Sequence, residues 1–277
     1  MRVDRTLLFT PGDAPRRIGR ALSLRFSTVV LDLEDGVGAG PAKWQARTAV
    51  VRALTVSRRP GLMVRINGLD DPEHLADLEA LRPVLGHAAA VVVPKVESAA
   101  RLAELADTVR VPVVPVIESC TGLLAAAEIA TAPQVARVIL GVLDLAAELG
   151  VSPVPGEAGL DHARTHLAVA SRAAGLRAPI DGPHPDLDDE EGLIRSSRAS
   201  RALGFGGRVV LHPRHLDAVA RAYAPTAAEI ERARRVVDAA GSRPGSLRLS
   251  DGTFVDAPVV ARAQALLEEV HGEPTPA

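Results

Sequence analysis

Eight short apolar stretches, most of them rich in β-branched residues, recur along the first three quarters of the chain. They lie at 6–10 (TLLFT), 28–33 (TVVLDL), 62–66 (LMVRI), 89–94 (AAVVVP), 112–117 (PVVPVI), 137–143 (RVILGVL), 178–181 (APID) and 208–211 (RVVL). Between them run Ala/Leu/Arg/Glu segments with helical spacing, such as Leu75, Leu78 and Leu81, or Leu193 and Ala199 to Leu203. Runs that are apolar on both faces and alternate with helices indicate a parallel sheet covered by helices. Eight such units within about 210 residues fit a closed (β/α)8 TIM barrel better than a doubly wound open sheet, which usually has fewer strands. The seventh run is the weakest, being short and carrying Pro179. Beyond the barrel the pattern predicts a helix over 226–240, a GSRPGS linker, a hairpin in LRLSDGTFV and a last helix over 257–270. The expected organisation is a barrel over 1–223 and a C-terminal helical extension over 224–277.

Composition narrows the function. The chain has 277 residues, with 32 Lys+Arg against 34 Asp+Glu, so no global field recruits nucleic acid or an anionic membrane. Aromatic residues at 2% leave few platforms for stacking bases. One cysteine, Cys120, rules out an internal disulfide framework and a zinc site built from several thiolates. The start, MRVDRTLLFTPGD, has too short an apolar run for a signal peptide, and no stretch approaches membrane-spanning length. A cytoplasmic protein is the expectation. Only Lys43 and Lys95 are lysine, which makes each conspicuous.

Barrel enzymes carry their chemistry at the C-terminal ends of the strands. Those ends hold Thr10, then Asp32, Glu34 and Asp35, then Arg65, Lys95, Glu118, Asp144, Asp181 and His212, all polar. Glu118 and Asp144 close the fifth and sixth runs, so a parallel ladder would set them about 5 Å apart. Two carboxylates that close repel unless a proton or cation lies between them, and oxygen ligands with room for water suit Mg2+. Pairing of each acid with one of the many arginines is the competing reading.

The segments LLFTPGDAPRRIGRAL, VVLDLEDGV, VRINGLD, VVVPKVESA, PVIESCTGLL, GVLDLAAELG, IDGPHPDLDDEEGL, ALGFGGRVVLHPRHL and VDAPVVARAQ run in order along nearly the whole chain. Together they resemble the citrate lyase beta-subunit-like proteins of the HpcH/HpaI aldolase family. The resemblance implies a (β/α)8 barrel, assembled as a homotrimer or hexamer, that cleaves or forms a carbon–carbon bond in a hydroxyacyl-CoA thioester with Mg2+, or Mn2+ in its place. It makes Glu118 and Asp144 the metal ligands and sets Arg65 against the substrate's carbonyl and carboxylate oxygens. It also makes Asp256 a general acid/base delivered to a neighbouring subunit's site. Asp32, Glu34 and Asp35 then form an outer layer around the metal and Arg65, while Arg16, Arg17 and Lys95 contact substrate or CoA, the arginines through its phosphates. Ala14, Leu143 and Glu148 depart from residues common in the family.

Three rival functions stay open at this stage: a Schiff-base aldolase using Lys95, a thioesterase of the malyl-CoA type and a non-catalytic subunit. A nucleophilic lysine must be desolvated, and a mouth ringed by carboxylates instead keeps Lys95 charged. GVGAG at 36–40 resembles a dinucleotide fingerprint but has Pro41 in place of the third glycine, so a plain turn is expected. His162 and His166 lack the Glu of HExxH and read as surface histidines. His212 reads as structural or as a phosphate contact. The acids of DLDDEEGL suit the start of a helix.

Overall fold

The eight runs become eight parallel strands: β1 (Thr6–Pro11), β2 (Thr28–Asp32), β3 (Leu62–Arg65), β4 (Ala90–Val93), β5 (Val113–Ile117), β6 (Ile139–Leu140), β7 (Ile180–Asp181) and β8 (Gly207–Val210). Each pairs with the next, and β8 closes on β1. This computed structural model describes residues 5–24, 28–57, 59–154, 156–242, 246–249 and 251–271. Helices α1 (Pro15–Ser23), α2 (Pro41–Val56), α3 (His74–Leu81), α4 (Ala99–Val109), α5 (Cys120–Leu124) and α6 (Ala126–Ala130) fill the first five connections. Then come α7 (Val142–Leu149), α8 (Asp161–Ala173), α9 (Glu190–Ala202) and α10 (Leu216–Tyr223).

The pleat splits each strand between two buried layers. Leu7, Phe9, Val30, Met63, Val92, Val114, Val116, Ile139, Ile180 and Val209 pack inside the barrel. Their neighbours Leu8, Val29, Leu31, Val64, Val91, Val93, Ile117, Leu140 and Val210 face the helices. Double burial is why the runs contain few polar positions. Side-chain caps start several helices: Ser98 for α4, Ser119 for α5, and Asp189 for α9, whose first turn carries Glu190 and Glu191 of the DLDDEEGL segment expected at a helix start.

Two of the sequence-based expectations need correction. Only Ile139–Leu140 of the run 137–143 is strand; Gly141 ends it and α7 begins at Val142. Asp144 therefore sits in the first turn of a helix, where an acid also suits the helix dipole, and not at a strand end. Asp181 does end β7, but Ile180 occupies the interior layer, so the next side chain points outward. There Asp181 is fully buried against two guanidiniums, with Arg164 Nε at 3.2 Å and Arg208 Nη2 at 2.8 Å. Arg208 Nη1 also donates to Ser196 Oγ at 2.7 Å, and Arg164 Nη2 to the Pro153 carbonyl at 2.6 Å. This polar cluster ties α8 and α9 to β7 and β8.

The chain divides into two compact units, Met1–Tyr223 and Ala224–Ala277. The second holds α11 (Ala227–Ser242), an antiparallel pair of β9 (Leu247–Arg248) with β10 (Phe254–Val255), and α12 (Ala257–His271), around Ala233, Val236, Val255 and Ala263. The expected hairpin and both expected helices are present, α11 running to Ser242. Residues 243–245 of the expected linker lie outside the described residues. Among the described residues no helix is long and apolar enough to cross a membrane.

The Asp181 cluster gives a direct expectation. Asp181→Asn removes the carboxylate that Arg208 pairs with and leaves Arg164 only Asp161 Oδ1 at 3.5 Å, and breaking a buried pair from one side costs about 3–5 kcal/mol. Urea unfolding is expected to show that loss at unchanged slope; an unaltered midpoint would mean the ion pairs carry no net stability.

Candidate functional site

Charged residues stand at or just past the C-terminal ends of β2 to β5: Asp32, Arg65, Lys95 and Glu118. Asp32 and Arg65 are register partners on β2 and β3. Arg65 Nε donates to Asp32 Oδ1 at 2.7 Å and Nη2 to Oδ2 at 2.6 Å, a bidentate pair. Its Nη1 lies 2.7 Å from Glu34 Oε2, and the guanidinium sits 5.0 Å above the Phe9 ring that floors the mouth. Burial opposes the charge on Arg65, but the bonds to Asp32 and the charges of Asp32, Glu34 and Asp35 outweigh it and raise its pKa. Asp32 also organises its own loop, accepting from the backbone N–H of Glu34 and of Gly36, each at 3.0 Å. A Cβ on Gly36 would lie 2.4 Å from Asp32 Oδ2, so the turn requires glycine there.

Lys95 links two of the acids. Its ammonium donates to Glu34 Oε1 at 3.0 Å, and its backbone N–H donates to Glu118 Oε1 at 2.7 Å. That second bond depends on a left-handed backbone, φ 52°, which a non-glycine residue adopts at a cost of about 1–3 kcal/mol. Glu118 itself continues β5 into the mouth. The position facing it on β6 is Gly141, where a Cβ would stand 2.3 Å from the Cβ of Glu118. The Glu118 carboxyl is pushed up to about 8, by burial first and then by the charges of Glu34 and Asp144. Glu34 is raised as well, chiefly by burial.

Five carboxylates (Asp32, Glu34, Asp35, Glu118 and Asp144) thus share one mouth with two cations, Arg65 and Lys95. The acid excess calls for protons or a further cation, and the donors facing it are all oxygens. Among the described residues no three His, Cys, Asp or Glu converge as a complete ligand set. Oxygen donors such as Glu118 and Asp144 could hold a hard cation whose remaining positions are filled by water and ligand oxygens.

Against that geometry stand the known proteins. The HpcH/HpaI aldolase/citrate lyase model matches residues 5–213. The chain belongs to the HpcH/HpaI aldolase/citrate lyase family. A citrate lyase subunit beta-like protein of Mycobacterium tuberculosis is 36% identical over 273 residues, covering 97% of this chain and 96% of that one. A (3S)-malyl-CoA thioesterase of Cereibacter sphaeroides is 34% identical over 238 residues, covering 85% and 82%. The crystal structure of CitE from M. tuberculosis in complex with magnesium, acetoacetate and coenzyme A superimposes with a TM-score of 0.83 at 34% identity, covering 97% of this chain and 98% of that one.

As a member of this family the chain brings together Asp32, Glu34, Asp35, Arg65, Lys95 and Glu118, with Asp144 close enough to act on Glu118. Arg16 and Arg17 are exposed in the first turn of α1, just past the C-terminal end of β1. Asp256 belongs to the second unit, where its Oδ1 accepts from the Val259 N–H at 3.2 Å at the start of α12. His212 is exposed and caps the turn at 213–215, its Nδ1 accepting from the Arg214 N–H at 3.2 Å. The glycines of 36–40 form a turn folded on Asp32 and lead into α2. His162 and His166 lie on α8 with ring centroids 6.3 Å apart. Sequence reasoning passed over Asn67 and gave Lys43 no role, although the scarcity of lysine marked it.

The raised carboxyl of Glu118 has a pH consequence for the cation-free protein. A folded-state pKa near 8, above the ordinary 4.5, adds stability that is complete below 4.5 and is lost as pH rises through about 8. Thermal midpoints measured in EDTA are therefore expected to fall between pH 5 and pH 9, and Glu118→Gln to flatten that fall. Equal slopes in the two proteins would remove Glu118 as its source.

Proposed function

We propose that this chain is a Mg2+-dependent carbon–carbon lyase acting on a hydroxyacyl-CoA thioester, of the citramalyl-CoA or malyl-CoA kind. Its products would be acetyl-CoA or another acyl-CoA and a small keto acid, or the same reaction would run as a condensation. The observation that carries this reading is the acid excess around Glu118, a set of oxygen donors that needs a cation at the barrel mouth. A related chain crystallised with magnesium, acetoacetate and coenzyme A supports it.

Glu118 and Asp144 would hold the Mg2+. When bound, the ion supplies Lewis-acid polarisation of substrate oxygens. Arg65 makes three contacts to carboxylates from its five N–H donors, which leaves donors for a substrate carboxylate and carbonyl. Being rigidly paired and charged, it would stabilise an oxyanion with little reorganisation. Asp32, Glu34 and Asp35 would keep Arg65 and Lys95 oriented. Arg16 and Arg17 would take CoA phosphates, and the exposed Lys95 ammonium an anionic part of the substrate. For Lys95, burial favours the neutral amine, but its bond to Glu34 and the charges of Glu34, Asp35 and Glu118 raise the pKa overall. A Schiff base needs the neutral amine, so this reading sets that alternative aside. Asp256 would move the proton on the acetyl carbon of a neighbouring subunit's substrate, in a cytoplasmic homotrimer or hexamer.

A second reading, hydrolysis of the same thioester, is favoured by the malyl-CoA thioesterase relative. Mass spectrometry of a CoA-ester panel with Mg2+ separates the two. Keto acid plus acyl-CoA is expected; hydroxy acid plus free CoA would establish the thioesterase, and binding without turnover a non-catalytic subunit. Glu118→Ala and Asp144→Ala are each expected to abolish turnover together with Mg2+ binding by calorimetry, and full activity of either in EDTA would sink the metal assignment.

The role of Asp256 has its own test. Inactive Asp256→Ala chains mixed with inactive Glu118→Ala chains are expected to regain activity as subunits exchange, because some sites then combine two intact halves. No recovery after verified exchange, or a monomer by light scattering, would refute the shared site.

A further inference from the structure

Lys43 stands in the first turn of α2 with its ammonium directed under the loops that carry the site. All three of its protons have acceptors: the Leu33 carbonyl at 2.6 Å, the Glu34 carbonyl at 2.8 Å and Asn67 Oδ1 at 2.7 Å. None of these is a carboxylate, so the lysine holds geometry and does not neutralise an acid. The far partner, Asn67, lies two residues past Arg65 and is buried. Its backbone N–H and its Nδ2 both donate to Asp77 Oδ2, at 2.7 and 2.6 Å. Asp77 is fully buried, and its Oδ1 accepts from Arg47 Nε at 2.7 Å. Arg47, one helical turn beyond Lys43 on α2, is paired with Glu73 as well. A continuous polar relay therefore runs from α2 and α3 to the β2–α2 loop and to the β3–α3 loop, and Lys43 is the group that joins the two loops.

Opposite charges flank the two loops: Glu34 stands on the first, and Arg65 ends β3 just before the second. Glu34 divides its carboxylate between Arg65, at 2.7 Å, and Lys95, at 3.0 Å, so a small shift of its backbone would favour one partner over the other. We infer that Lys43 is a positioning residue of this site: by bonding the Glu34 backbone to Asn67 it fixes the Glu34 carboxylate between Arg65 and Lys95. It touches no reacting atom and acts through Glu34. Only the kinetic arm of its test rests on the lyase reading.

Lys43→Met keeps the length of the side chain and removes the donors. Hydrogen–deuterium exchange of the cation-free protein reads the loops directly. The amides of 33–38 and 66–69 are expected to exchange at least tenfold faster in the variant, with those of β4 to β6 unchanged. Wild-type exchange in both loops would overturn the inference, and so would acceleration spread evenly over the barrel. In turnover assays kcat is expected to fall about 10- to 100-fold, the usual loss when a supporting hydrogen bond to a site is removed, while KM stays within about threefold. Asp181→Asn, which weakens the far side of the barrel, is the stability control and is expected to keep kcat; a matching loss in both variants would reduce Lys43 to a stability role. If the wild-type chain turns over no CoA ester, the lyase reading fails while exchange still decides Lys43. If the wild-type chain is active and Lys43→Met has wild-type kcat, the positioning inference fails alone.

Discussion

The pairing of Arg65 with Asp32 across one rung of the barrel is the contact on which the site depends. It places a guanidinium over the Phe9 ring with three of its bonds already directed at carboxylates. Asp32 in turn shapes the loop that presents Glu34, because its two oxygens accept from the Glu34 and Gly36 amides. Glu34 reaches Lys95, and the Lys95 amide reaches Glu118. Four strands are thereby joined by one chain of charged hydrogen bonds. Within such a network the effect of removing one member is not confined to its own contacts, since each is oriented by the next.

The other half of the mouth is built from small residues. Gly141 leaves the space that the Glu118 side chain occupies, and a Cβ on Gly182 would stand 2.4 Å from a Val142 methyl. The first turn of α7 can therefore pack close to the end of β7 and hold Asp144 near Glu118. Charge on β2 to β5 and absence of side chain on β6 and β7 serve one arrangement, in which the acids gather on one side of the opening. Lys95 stands at this opening with a left-handed backbone, and both ends of the residue are tied to acids.

Much of this was legible in the sequence, and the limits have physical causes. The strands could be found because burial on two faces leaves few polar positions to interrupt a run. Listing strand ends overcounted the site, because the pleat sends alternate residues outward: Asp181 ends its strand as surely as Glu118 does, yet it meets Arg164 and Arg208 behind the sheet. A two-residue strand such as β6 also ends early enough for its acid to fall on a helix. Lys43 was harder, since its partners are two main-chain carbonyls and one amide, and main-chain acceptors have no signature in residue identity. The bidentate pair of Arg65 with Asp32, in contrast, joins two side chains at strand ends, and both were among the predicted site residues.

The distribution of charge follows from what each place can tolerate. Behind β7 and β8, where helices exclude water, Asp181 meets two guanidiniums and each charge has hydrogen-bonding partners. At the mouth the imbalance is acidic, and neighbouring acids add to burial in raising the carboxyls of Glu34 and Glu118. Burial drives both shifts first, so moving either acid into solvent would relieve them, and the network through Lys95, Arg65 and Lys43 prevents that movement. A fold that holds like charges together against both burial and repulsion gives up stability at one locus, and such loci are where proteins concentrate binding and chemistry. A ligand that brings positive charge to Glu118 and Asp144 and negative charge to Arg65 and Lys95 would lower the energy of the assembly at both ends, which is the physical reason to expect one there.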